Sequence, residues 1–446
     1  MQIHLVAIGG AVMHNLAIAL KNNNYLVTGS DDELFEPSLS RLKKHGLLPE
    51  SKGWFTEKIH SGLNAVILGM HARDDNPELL KAKELNIPVY SFPEYIYKHS
   101  KNKIRVAICG SHGKTTITSM IMHVLIQSKM NFDYLVGAQL DGFETMVQIS
   151  DAPLMIIEGD EYFASPLDRR PKFLHYQAQI TLISGIAWDH FNVFPTFKSY
   201  TDQFKMLIES LPADYLLITN NEDENITSIL ESAKYFVQIK KYGTPEYYLK
   251  DHVFHINKFK HDYIFEIFGK HNMQNMEAAR IVCNAIGIKD ENFYEAMQTF
   301  KGAAKRLEII RRTDDHIIFR DFAHAPSKVL ATVQAVKEQY PEKKLIACLE
   351  LHTFSSLNKE FICYYKNTMK NADFRIVYFN PHTLESKKLP ELSKEEVKMF
   401  FNDDELMVIN NSKELITLLQ KLNVVNINLL LMSSGNFDNL DFTILT

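Results

Sequence analysis

The chain has 446 residues, 46% apolar and 23% charged, with a net charge of −5 and four cysteines. That balance excludes the basic surface needed for nucleic-acid binding, and no apolar run approaches the roughly 18 residues of a membrane span. The cysteines show no paired metal spacing and read as reduced core residues, so a cytoplasmic protein of about three domains is expected.

Residues 3–8 form an apolar run expected to be a strand, without a leader-like basic region before it. Gly9-Gly10 then make a turn, residues 11–21 a helix, and residues 25–31 a second strand ending at Ser30 and Asp31. Nucleotide-binding α/β folds begin this way, although the glycines fall short of G-x-G-x-x-G. A diphosphate can approach the backbone at Gly9 and Gly10; a tight turn alone is the alternative. After a strand at 65–69, Asp75-Asn76-Pro77-Glu78 starts another helix. The polar stretch 98–103 marks the end of a first domain over 1–100.

The second domain is expected over 101–312. Val106-Ala107-Ile108-Cys109 is followed by Gly110-Ser111-His112-Gly113-Lys114-Thr115-Thr116. A buried strand, a glycine turn and a helix N-terminus aim backbone N–H groups at anionic oxygens. In such a cradle Lys114 reaches the β/γ-phosphates and the Thr115 hydroxyl holds Mg²⁺. Leu154-Met155-Ile156-Ile157 ends at Glu158-Gly159-Asp160-Glu161, where a magnesium ligand belongs beside a phosphate-loop strand. Glu158 is the candidate, and a solvated acidic loop is the bland reading. Asp189-His190 follows the next strand at its ligand-binding end. Antiparallel strands are expected within 235–268. Gly269-Lys270-His271-Asn272-Met273-Gln274-Asn275 then opens a helix, whose Asn272 and Asn275 share a face suited to a purine edge.

The third domain, 313–446, alternates strands and helices, which implies a mostly parallel sheet. Its polar strand ends include Asp321-Phe322-Ala323-His324-Ala325-Pro326 and Glu350-Leu351-His352-Thr353.

Together with Arg306-Leu307-Glu308, these groups resemble, in order and over almost the whole chain, the motifs of the ATP-dependent Mur ligases of peptidoglycan synthesis. The resemblance implies three α/β domains: an N-terminal Rossmann-like domain for a UDP-sugar, a central P-loop ATPase domain, and a C-terminal Rossmann-like domain for an amino acid or peptide. It implies ATP and Mg²⁺, with metal on Thr115 and Glu158 and a second ion on His190. Lys205, fifteen residues after His190, occupies the offset of a carbamylated lysine in several members. By the same resemblance His271 and Asn272 contact adenine, Arg306 approaches the phosphates, and Asp321 fixes the ribose or the linker. His324 orients the intermediate or caps a helix. Gly9, Gly10, Ser30, Asp31 and Asn76 surround the uridine diphosphate.

The stretch Asp160-Glu161-Tyr162 with Leu167-Asp168-Arg169-Arg170-Pro171-Lys172-Phe173-Leu174-His175-Tyr176 resembles an insertion of the murein peptide ligases. These join UDP-N-acetylmuramate to L-alanyl-γ-D-glutamyl-meso-diaminopimelate through an acyl phosphate, in peptidoglycan recycling. Ligases adding L-alanine in de novo synthesis are the nearest alternative; a non-ligating nucleotide-binding homologue is a reading from another class. A monomer or weak homo-oligomer that closes its domains is expected. The chain departs from the family in four places: the glycines are loosened to Ala7-Ile8-Gly9-Gly10, the pair before the aromatic is Arg320-Asp321, His324-Ala325 replaces His-His before proline, and Leu351-His352-Thr353-Phe354-Ser355-Ser356 stands where Pro-Arg-Ser is usual.

Overall fold

Strands β1 (Gln2–Val6), β2 (Leu26–Ser30), β3 (Ala65–Leu68) and β4 (Val89–Ser91) form a parallel sheet in the order β2-β1-β3-β4. They belong to a computed structural model that describes residues 1–442 apart from 71, 141, 304, 305, 314 and 423–425. β1 and β3 are buried on both faces, as runs without polar alternation require.

The central sheet takes β5 (Ile104–Cys109), β6 (Asp133–Leu135), β7 (Val147–Gln148), β8 (Leu154–Glu158), β9 (Ile180–Ile183), β10 (Leu216–Asn220) and β11 (Gln238–Tyr242). Its order is β11-β10-β9-β5-β8-β6-β7, parallel except for β7 against β6. Because β8 and β9 flank β5, the phosphate loop, Glu158 and the turn after Ile183 emerge side by side at one sheet edge. A small antiparallel meander, β12 (Tyr248–Lys250), β13 (Val253–Lys258) and β14 (His261–Phe265), occupies the region where such strands are expected.

The third sheet orders β15 (Glu308–Arg312), β16 (Ile317–Asp321), β17 (Lys344–Glu350), β18 (Phe374–Tyr378), β19 (Met407–Ile409) and β20 (Ile427–Met432) as β15-β16-β20-β17-β18-β19. All pairings are parallel except β15 with β16. Glu308–Arg312 therefore belongs to the last sheet rather than the central block, because it hydrogen-bonds back onto β16.

The apolar core runs across the unit boundaries. One cluster joins Val106, Ile117 and Met276 to Phe319, Val333 and Leu349, and another joins Leu16 and Phe92 to Ile157 and Phe204. Cys109, Cys283 and Cys348 are buried as expected, whereas Cys363 is exposed. Among the described residues no helix is long and apolar enough to cross a membrane.

Candidate active site

Gly113 closes the phosphate loop at φ +79° as the N-cap of helix Lys114–Gln127, a conformation open to glycine. A Cβ there would lie 2.5 Å from Asn275 Oδ1, so the turn is also fitted against helix Lys270–Ala285. Lys114 Nζ donates to Gly110 O at 2.5 Å and to Glu161 Oε2 at 2.8 Å. Burial disfavours its charged form, but Glu161, Asp160 and Glu158 outweigh that and hold its pKa above the usual lysine value. Thr115 Oγ1 donates to Glu158 Oε1 at 2.7 Å, and the Gly137 N–H to Glu158 Oε2 at 2.7 Å.

Glu161 is the hub that sequence reasoning set second to Glu158. Its side chain is buried, accepts from the Tyr200 hydroxyl at 2.8 Å, and lies 3.6 Å from His190 Nε2. Tyr200 in turn contacts Ser111 Oγ at 2.8 Å, and that Oγ accepts the Ala187 N–H. Tyr200 was missed, since nothing local marks a helix tyrosine 39 residues from its carboxylate. Asp160, paired with Lys172 at 2.7 Å, is held below the carboxylate range because Lys172 and Lys114 outweigh its burial. Donor atoms of Asp160, Glu161 and His190 lie within 4.8 Å of one another. Two carboxylates and an imidazole make a set that fits a small divalent cation.

Lys205 does not join this site. Tyr200, Phe204, Leu207 and Ile208 form the buried face of helix Phe197–Ser210, and Lys205 projects elsewhere, donating to Ser232 O at 2.9 Å. The fifteen-residue offset places it near in sequence, while the helical phase turns it away.

Beside the phosphate loop, a cavity of about 730 Å³ opens between the central and C-terminal units, lined by His112, Asn220, Lys270, His271 and Gln274 among others. His271 faces it, with its pKa lowered to about 4 by burial and by His112. Asn272 does not. Its amide donates to Phe268 O at 2.9 Å and accepts from Asn275 at 3.3 Å, behind the cavity wall.

Asp321 serves the linker: its carboxylate takes the Leu307 N–H at 2.7 Å and the Ala323 N–H at 2.6 Å, and burial raises its pKa. Arg306 lies over the Phe322 ring at 4.7 Å and acts electrostatically on Asp321. His324 Nδ1 donates to Phe322 O at 2.8 Å, and burial with Lys328 lowers its pKa to about 4. After β17, Thr353 caps the turn Phe354–Leu357, and Glu350 is buried, accepting from Ser433 and the Phe437 N–H.

The N-terminal turn is arranged differently. The Gly9 N–H donates to Asp31 Oδ2 at 2.7 Å, and burial raises the Asp31 pKa. Ser30 O accepts from Ala7 and Ile8, and Gly10 opens helix Ala11–Asn22. Asn76 is not at this turn's service: its side chain caps helix Pro77–Glu84 through the Glu78 and Leu79 N–H groups.

Comparison with known proteins gives matches to the Mur ligase family, catalytic domain, over residues 2–103 and the Mur ligase middle domain over 108–283. The UDP-N-acetylmuramate–L-alanyl-γ-D-glutamyl-meso-2,6-diaminoheptandioate ligase of Haemophilus influenzae is 28% identical, across 76% of each chain. The UDP-N-acetylmuramate–L-alanine ligase of Caldicellulosiruptor saccharolyticus is 31% identical, across 79% of this chain and 78% of its own. In fold, the chain matches a murein peptide ligase of Psychrobacter arcticus with TM-score 0.66 and 19% identity, across 98% and 97% of the two chains. Tripeptide and alanine ligases thus stand at similar distances from this chain.

Proposed function

The chain belongs to the Mur ligase family and is an ATP-dependent ligase that forms amide bonds, and from that premise we propose that it joins UDP-N-acetylmuramate to L-alanyl-γ-D-glutamyl-meso-diaminopimelate. The observation that carries this reading is the convergence of Lys114, Glu161 and His190, with the Thr115–Glu158 pair, on one sheet edge faced by the C-terminal unit.

The sugar acid's carboxylate is a poor electrophile, so the γ-phosphoryl of ATP is transferred to it, and the acceptor's amine then displaces phosphate from the acyl phosphate. Phosphoryl transfer needs positioning and charge neutralisation more than covalent help. Lys114 and the N–H groups of 110–115 would hold the β/γ-phosphates of ATP. Glu161 orients Lys114, and Tyr200 orients Glu161. Mg²⁺ would be held by Thr115 and Glu158, with a second ion at His190 beside Asp160 and Glu161, and would neutralise charge on the transferred phosphoryl group. His112 and His271, neutral through burial, line the wall beside the nucleotide without adding charge. The N-terminal, central and C-terminal units would bind sugar nucleotide, ATP and acceptor respectively. A nucleotide-borne precursor places the reaction in the cytoplasm.

Tripeptide is preferred over L-alanine for the sake of the 162–176 segment, which folds as a strap. Phe163 bridges Pro171, Asp168 holds Arg170 at 2.6 Å, and helix Lys172–Tyr176 packs on helix Phe92–Ser100 of the first unit. The test is ADP release with UDP-N-acetylmuramate and competing acceptors. Tripeptide should be consumed at least about tenfold more efficiently than L-alanine, a 1.4 kcal/mol difference. Faster use of L-alanine replaces the acceptor, and no acceptor-dependent ADP release removes the ligase assignment.

A further inference from the structure

His190 sits at φ +57°, a strained region for a side-chain-bearing residue, so something must hold it there. From inside its own unit, His190 O accepts the N–H groups of Val193 at 2.8 Å and Phe194 at 2.9 Å. The Trp188 indole donates to Phe194 O at 3.0 Å. From outside, two side chains of the last unit reach across. The Phe191 N–H donates to Ser355 Oγ at 3.2 Å. Lys328, in the first turn of helix Pro326–Gln339, places Nζ 3.2 Å from Asp189 Oδ2, with both side chains mostly buried (22% and 12% exposed). The other Asp189 oxygen accepts the His190 N–H at 2.8 Å. A continuous path therefore runs from Lys328 through Asp189 to the backbone of His190, whose ring faces Glu161.

We infer that Lys328 is a positioning residue: by holding Asp189 it keeps the His190 turn in its working geometry, so that the unit bringing the acceptor also completes the phosphoryl-transfer centre. The inference rests on the ligase reading above and deepens it. Nothing in the sequence marks Lys328, which lies 139 residues from its partner. Its consequence is a coupling: ATP is committed efficiently only while the last unit is docked, when an amine is at hand to capture the acyl phosphate. Because Lys328 is pinned to a carboxylate rather than aimed at solvent, removing it leaves Asp189 buried without its counter-charge, and the turn relaxes.

Lys328→Ala, Lys328→Met and Lys328→Arg test this; Met retains the stem and Arg the charge. Two readouts are needed. Hydrogen exchange of the peptide spanning 188–194, measured without substrates, should quicken about tenfold in Ala and Met and return close to wild type in Arg. The kcat for ADP release should fall about 10²-fold in Ala and Met, with the ATP KM within about threefold, because a misplaced group costs turnover more than binding. Thermal midpoints within a few degrees of wild type confirm that the variants fold. Unchanged exchange in Ala and Met overturns the inference whatever the assay gives. Wild-type kcat in Ala, or an Arg variant as impaired as Ala, overturns it too. If wild type itself shows no turnover, the ligase reading fails while the exchange result still decides the role of Lys328.

Discussion

Two turns in this molecule have the same local shape: β1 runs through Gly9-Gly10 into helix Ala11–Asn22, and β5 runs through Gly110 and Gly113 into helix Lys114–Gln127. They present opposite charge. At the second turn a buried ammonium, Lys114, is kept protonated by carboxylates from β8 and its loop. At the first, the Gly9 N–H is met by the Asp31 carboxylate from the end of β2. A strand–turn–helix supplies N–H groups, but residues brought in from neighbouring strands decide what charge is held there.

The sharpest way to break this contrast is Lys114→Met. Turnover should fall by about 10³-fold, since the only cation built into the second turn would be gone. Steady-state ADP release measures it, and a loss below tenfold would mean that Lys114 is not the charge that matters. At the first turn, Gly9→Ala would put a methyl 2.6 Å from Leu34 Cδ2 and 2.8 Å from Asp31 Oδ2. We expect a loss of about 1–3 kcal/mol in urea unfolding and a raised KM for the sugar nucleotide with ATP KM unchanged.

Acid should separate the two turns further. His112, His271 and His324 have depressed pKa values, about 4 for the latter two, so the unfolded chain binds protons near pH 6.5 that the folded chain refuses. Stability around the ATP end therefore falls as pH drops from about 6.5 toward 4. Asp31 shifts the other way, so its strain is present when it is ionised and relieved as pH falls through its raised pKa. Segment-resolved hydrogen exchange at pH 7 and pH 5 should show 269–275 loosening, while 7–31 changes less, because His14, whose pKa burial lowers, opposes Asp31 there. The smallest expected effect is Asn76→Ala: about 1 kcal/mol of stability lost with the helix cap, and kinetics within twofold. A large rise in sugar-nucleotide KM would return Asn76 to the binding site.

What was legible in the sequence was local. Gly110 to Thr116, the acidic end of β8, and the Asp189-His190 pair each announce themselves within a few residues, and the parallel sheet brings them together. What was not legible depended on distance or on phase. Glu161 outranks Glu158 as the partner of Lys114 because the chain turns after Gly159, which no spacing reports. Tyr200 and Lys328 approach across 39 and 139 residues. Lys205 is turned away by helical phase, Asn76 serves as a cap, and Asn272 spends its amide on the Phe268 carbonyl just before its helix. The strand Glu308–Arg312 was assigned to the wrong side of a boundary because strand partners cannot be read from one strand.

Arg105, 3% exposed at the start of β5, donates to the carbonyls of Ser100, Lys103, Tyr176 and Gln177. Those four oxygens belong to the crossing out of the first unit and to the end of the strap, so one planar guanidinium pegs both to the central sheet. The first unit is consequently anchored where the chain leaves it: a polar peg at the root of β5 adds to the apolar seam that Leu16 and Phe92 share with Ile157 and Phe204.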